Sequence, residues 1–216
     1  MRKAVEGSTA VLCGDWMEKG RLEAFTDGVL AVIITIMVLE LKPPHEATWH
    51  AALGNWPVFL SYVLSFIYVG IYWNNHHHLL HLVENINGKV MWSNLHVLFW
   101  LSLFPFTTAW LNEAHGVGGE FPATLPTLVY GVVLLMTALA WIPLERLLIQ
   151  ANGGKRGDLA RALGSSWKEI VSPIIYLTAI ALTFFVPILS CVLYAVVAMI
   201  WLMPDRRIEK HVMTNQ

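Results

Sequence analysis

The chain has 216 residues and a formal net charge of −1; 56% of its residues are hydrophobic, only 13% are charged, and its mean hydropathy is +0.56. A soluble domain carries about twice that share of charge, so the composition excludes an ordinary water-soluble domain and points to a chain that crosses a membrane several times. The near-zero net charge identifies no partner, because in such a chain the positions of Lys and Arg matter and their balance does not.

In chain order, residues 1–20 read as a polar N-terminal tail. Arg2 and Lys3 precede a stretch too polar for the apolar region of a signal peptide, so no cleavage is expected. Cys13 in this tail and Cys191 in an apolar run form neither a disulfide framework nor a metal-ligand spacing. Six apolar spans follow, at 24–41, 57–73, 90–111, 125–148, 170–185 and 187–203. Residues 170–203 have almost no polar break; as one helix they would reach about 51 Å against a hydrocarbon core of about 30 Å. A hairpin at Val186 and Pro187 is therefore expected, since proline disfavours continuing the helix. Residues 150–168 form the one sizeable loop, with Gly153 and Gly154 leading into a short basic helix that ends near Ser165, and read as a charged linker that fixes topology.

Thirteen of the fourteen Lys and Arg residues fall on the odd-numbered side of these spans or at their edges, and Lys42 alone falls on the other. The expected architecture is an all-α polytopic membrane protein with six transmembrane helices and both termini cytoplasmic. It comprises a single membrane domain over 21–203, flanked by cytoplasmic tails at 1–20 and 204–216, in the cell membrane. Trp56, Trp73, Trp92, Trp110, Trp167 and Trp201 fall where spans meet the headgroup region, which suits amphipathic indoles.

The first span raises a specific question, because Arg21 and Asp27 stand at its threshold and Thr35 in its middle. On an ideal helix Phe25, Gly28, Val32, Thr35, Ile36 and Leu39 share a band of about 100°, and Asp27 lies about 140° from Val32, toward whatever packs behind. A carboxylate near the apolar region needs partners. Candidates on the same membrane side are Trp73, Asn74, Asn75, His76, His77, Ser93, Asn94 and His96. From residues alone the plainer reading of the stripe is a buried apolar face whose threonine bonds its own carbonyl at i−4. The sharper one is a pore wall, with apolar rings that gate by dewetting and Thr35 as the nearby coordinating oxygen.

The stretch "RLEAFTDG" with "IITIMVLEL" resembles the opening of the bacterial branch of the transmembrane protein 175 family of potassium channels. The family's Arg-x-x-x-Phe-Ser-Asp motif matches Arg21, Phe25, Thr26 and Asp27, with Thr26 in place of Ser. "WNNHHHLL" resembles its second-span pattern at Trp73 and His76, and "SNLHVLFWLSLFPFTTAW" its third span at Asn94 and Pro105. The resemblance covers residues 19 to about 112. It implies a homotetramer with modest potassium selectivity, permeant potassium as the only ligand, and a pore lined by the first helix through Val32, Thr35, Ile36 and Leu39. Val32 is smaller than the Leu or Ile usual there, so Leu39 is expected to carry more of the constriction. Arg21, Phe25, Thr26, Asp27, Trp73, His76, His77 and Asn94 then form a structural polar network that holds the first helix to its own subunit. The resemblance implies no enzyme activity, no cofactor and no nucleic-acid partner.

Two other readings stand beside this one. His77, His81 and Glu84 share a helical face, which raises a metal site; the plainer reading is a wet helix end, and no metal is expected. An ion- or proton-coupled transporter would want ionisable groups near the midplane and repeated halves, and neither is visible. A non-conducting structural subunit is opposed only by the motif resemblance.

Overall fold

The computed structural model describes residues 19–43, 46–116, 122–163 and 167–203. Arg2, Lys3, Cys13, Ser165 and the tail at 204–216 lie outside the described residues. Among the described residues every regular element is helical. Three helices are long and apolar enough to cross a membrane: α1 (Lys19–Leu39), α3 (Trp56–His81) and α6 (Thr124–Ala151). The other principal helices are α4 (Gly88–Leu101), α5 (Phe104–Gly116), α8 (Trp167–Leu182) and α9 (Pro187–Leu202). The connections carry two short helices, α2 (Trp49–Gly54) and α7 (Asp158–Leu163), the latter after a 3-10 turn at Gly154–Arg156.

Local chemistry sets the boundaries. Pro57 stands in the first turn of α3 and Pro187 in that of α9, where a missing N–H costs nothing. The α8–α9 hairpin turns at Val186, as expected from its proline. Asn87 caps α4, its side-chain oxygen accepting from the Lys89 and Val90 amides. Gly153 (φ 90°) and Gly154 (φ 64°) reverse the chain after α6 in the left-handed region that glycine alone enters freely. One expectation is corrected: residues 90–111 form two helices, broken at Ser102 and Leu103, instead of one span. Pro105 lies in the first turn of α5, and the chain has restarted its helix there.

The core is closed by five aromatic rings from five helices. Tyr68 (α3), Phe104 (α5), Tyr130 (α6), Tyr194 (α9) and Tyr176 (α8) touch in sequence and return to Tyr68, with neighbouring centroids 5.8–6.5 Å apart. Each is at most 2% exposed, so the four tyrosine hydroxyls need internal partners. Tyr68 Oη donates to the Tyr194 carbonyl (2.5 Å), Tyr176 Oη to Tyr68 Oη (3.2 Å), and Tyr194 Oη to the Thr127 carbonyl (3.3 Å). Gly131, in the "VYGV" stretch, lies against Tyr194, where a Cβ would collide with the phenol. Against this frame α1 packs on α3, α4 and α5 through Leu22, Thr26, Leu30, Ile33 and Met37, a spacing of four, four, three and four that keeps one helical face inward.

Two residues differ from their expected surroundings. Trp201 turns inward, its indole donating to Ser172 Oγ (2.8 Å). Lys168 is buried, donates to the Met203 carbonyl (2.8 Å) and lies over the Trp201 ring. It therefore satisfies the end of α9, a use that a count of loop charges does not reveal.

Candidate functional site

The α1 helix presents two opposite faces. Inward lie the five residues just named; outward lie Phe25, Gly28, Val32, Thr35, Ile36 and Leu39, all exposed. Val32 is 55% exposed, Ile36 42% and Leu39 80%, so among the described residues nothing in its own chain covers this apolar stripe. Thr35 Oγ1 donates to the Val32 carbonyl (2.8 Å), at i−3 where i−4 was expected. That bond uses the hydroxyl hydrogen, and the oxygen lone pairs are what Thr35 can offer a cation.

A three-residue hydrogen-bonded chain fixes the lower half of α1. His76 Nε2 donates to Asn94 Oδ1 (3.0 Å), and Asn94 Nδ2 donates to Thr26 Oγ1 (2.9 Å). The exposures are 1% for Thr26, 0% for Asn94 and 3% for His76, so α1, α3 and α4 are joined through polar groups with no access to water. The hydroxyl that Thr26 shares with serine is the atom that receives the bond.

Asp27 departs from the expected geometry. It is exposed on the flank of α1, where the Trp73 indole donates to Oδ1 (3.0 Å). The buried polar residue of the motif is its neighbour Thr26, because the inward face runs through position 26 and Asp27 is about 100° around the helix. His77 stacks on Trp73 and lies 3.4 Å from Glu23 across the same α1–α3 seam. Arg21 and Phe25 are exposed. His96 joins neither group: its Nε2 accepts from the Trp100 indole (3.0 Å). Among the described residues no three His, Cys, Asp or Glu side chains converge as metal ligands.

The family described as "Endosomal/lysosomal potassium channel TMEM175" matches residues 21–105. A protein named as a potassium channel from Chryseobacterium sp. is 50% identical over 199 residues, covering 92% of this chain and all of its own. The chain belongs to the TMEM175 family. A second relative, named as a potassium channel from Streptomyces collinus, is 37% identical over 128 residues, covering 57% of this chain and 61% of its own. Among solved structures, the crystal structure of a lysosomal potassium-selective channel TMEM175 homolog from Chamaesiphon minutus superposes with a TM-score of 0.73 at 28% identity, covering 86% of this chain and 96% of that one.

In this TMEM175 member a second polar cluster escaped sequence reasoning. Ser65 Oγ contacts Thr108 Oγ1 (2.7 Å) and Tyr130 Oη (3.0 Å), and Ser61 Oγ donates to Asn112 Oδ1, joining α3, α5 and α6. The available signal was Ser61 and Ser65 on one span and Thr108 and Asn112 on another, each pair four residues apart and so on one helical face.

Proposed function

We propose that this chain is one subunit of a potassium-selective cation channel whose conduction path runs along the outward face of α1. Four copies meet around that face as a homotetramer. Val32, Ile36 and Leu39 form apolar constrictions, with Leu39 as the tighter one because Val32 is small. The Thr35 oxygens form the adjoining polar layer. The domain over 21–203 crosses the cell membrane six times, α4 and α5 making one crossing together, with both termini cytoplasmic. Arg21, Phe25, Thr26, Asp27, Trp73, His76, His77 and Asn94 set the position of α1 and hence the pore radius. The conduction path takes only the permeant ion, no cofactor is needed, and the protein is not an enzyme.

The observation that carries this reading is the uncovered stripe: a helix anchored by one face to its own subunit and apolar, with a single hydroxyl, on the other. An apolar ring strips part of an ion's hydration shell, at less cost for larger cations, and an oxygen layer offsets some of that cost. Selectivity of this kind is modest.

The test is potassium flux from liposomes reconstituted with the purified chain, driven by a gradient and bounded by a valinomycin control, for wild type and Val32→Trp. Val32 is 55% exposed in the subunit, so the indole can be added without displacing core atoms. Flux in wild type that Val32→Trp abolishes supports the reading. Flux that survives Val32→Trp places the path elsewhere, and absence of flux from folded protein favours a structural subunit.

A further inference from the structure

Away from the α1 face, α4 and α6 enclose an open cleft of about 870 Å³ lined by Lys89, Trp92, Ser93, His96, Pro143 and Leu147 among others. Its floor carries an anomaly. Ser93 is only 8% exposed and its hydroxyl has no hydrogen-bond partner, an arrangement that costs about 1–3 kcal/mol unless something supplies the partner. His96 contributes a second donor: its Nε2 already accepts from Trp100, so the neutral ring carries its proton on Nδ1. Lys89 at the rim is exposed, and among the described residues it makes no ion pair and no carboxylate lines the cleft. The Asn87 cap occupies the Lys89 and Val90 amides, so the recognition chemistry comes mainly from side chains.

These groups are donors and a cation, and their complement is an oxyanion. Its source follows from what surrounds the cleft. Trp92 at the mouth is 76% exposed, as an indole at headgroup depth is. Beyond it Leu95 and Phe99 continue along the exposed side of α4, and Leu139 extends the exposed face of α6 one turn beyond Pro143. A free anion would use the cleft and leave these apolar residues unexplained; a headgroup with acyl chains uses both. The volume accommodates a glycerophosphate group where a water would fill only a small part of it.

We propose that the α4–α6 cleft binds the headgroup of an anionic glycerophospholipid, with Lys89, Ser93 and His96 holding its phosphate and Trp92, Leu95, Phe99 and Leu139 lying along its acyl chains. The site is separate from the α1 stripe and does not depend on conduction.

The experiment is native mass spectrometry of the purified full chain in neutral detergent, titrated with dioleoyl phosphatidylglycerol or dioleoyl phosphatidylcholine. Wild type retains phosphatidylglycerol in preference to phosphatidylcholine. Lys89→Gln weakens phosphatidylglycerol retention about fivefold, the scale of one basic side chain near an anionic surface, and leaves phosphatidylcholine unchanged. Ser93→Ala, which keeps the fold's volume, weakens it to a smaller extent, and circular dichroism checks that both variants are folded. Equal retention of the two lipids, or retention indifferent to both substitutions, overturns the proposal. So does displacement of the lipid by millimolar inorganic phosphate, which would make this a free-anion site, or loss of an oligomer in the Lys89 variant, which would mean a second copy covers the cleft.

Discussion

Replacing Asn94 with leucine tests what holds α1 in place. Asn94 is fully buried and makes two bonds, accepting from His76 at 3.0 Å and donating to Thr26 at 2.9 Å. Leucine fills nearly the same volume, so the cavity contribution is small. It leaves a buried imidazole N–H and a buried hydroxyl, each costing about 1–3 kcal/mol when unpaired. Side-chain bonds within membrane proteins measure lower, about 0.6 kcal/mol on average, because the unfolded chain in a membrane also finds partners. Two bonds bracketed this way give an expected loss of about 1–3 kcal/mol. The assay is equilibrium unfolding in mixed micelles by added denaturing detergent, followed by tryptophan fluorescence. Thr26→Val and the double variant complete a cycle, with Thr26→Ser as the hydroxyl-retaining control. The expected coupling between Thr26 and Asn94 is about 0.5–1 kcal/mol. A loss below about 0.3 kcal/mol for Asn94→Leu, or additive single variants, would refute the claim that this chain of bonds anchors the helix.

Three further outcomes are expected. Thr35→Ala retains flux but lowers potassium preference over sodium, read as a shifted reversal potential under bi-ionic conditions; an unchanged potential would remove Thr35 from the polar layer. Gly131→Val destabilises by about 1–3 kcal/mol through overpacking, because its Cβ meets the Tyr194 phenol and lies 3.0 Å from Ile180 Cγ1; thermal unfolding at wild-type temperature would contradict the geometry. Asn152→Ala releases the loop after α3, since Asn152 Oδ1 accepts from the Glu84 and Asn85 amides and its Nδ2 donates to the Asn85 and Leu148 carbonyls. Exchange of those two amides should accelerate at least tenfold, equivalent to about 1.4 kcal/mol, and unchanged exchange would show the loop is held elsewhere.

Some of this architecture is written locally in the chain and some is not. The hairpin at Val186 and Pro187 was legible because proline and the length of the apolar run constrain the same few residues. Pro105 and Pro143 show the opposite case. Pro143 removes a helical hydrogen bond and α6 runs unbroken through it, while Pro105 stands in the first turn of a helix that restarts at Phe104, where its missing N–H costs nothing. The residue type is the same, and neighbouring helices decide whether the helix bends or breaks. The stripe on α1 could be drawn from spacing alone, but an apolar face reads alike whether it meets a neighbour or an aqueous path. Thr26 was named by the motif; that it and not Asp27 would be the buried residue follows from which face of α1 meets α4, a tertiary fact. Asn152, bridging α6 to residues 84 and 85, left no sequence signal because its partners are backbone groups that every residue carries.

The aromatic ring divides the subunit mechanically. Its five members tie α3, α5, α6, α8 and α9 into a closed truss, in which moving any strut displaces two neighbouring rings. Neither α1 nor α4 contributes a ring: α4 is packed broadly on α6 of the truss, and α1 rests on α3, α5 and α4 through aliphatic contacts and the Thr26–Asn94–His76 latch. A few hydrogen bonds can exchange partners where a ring of interlocked aromatics cannot. The rigidity of the aromatic frame and the seating of the outward α1 face therefore rest on different residues, so each is separately adjustable by mutation.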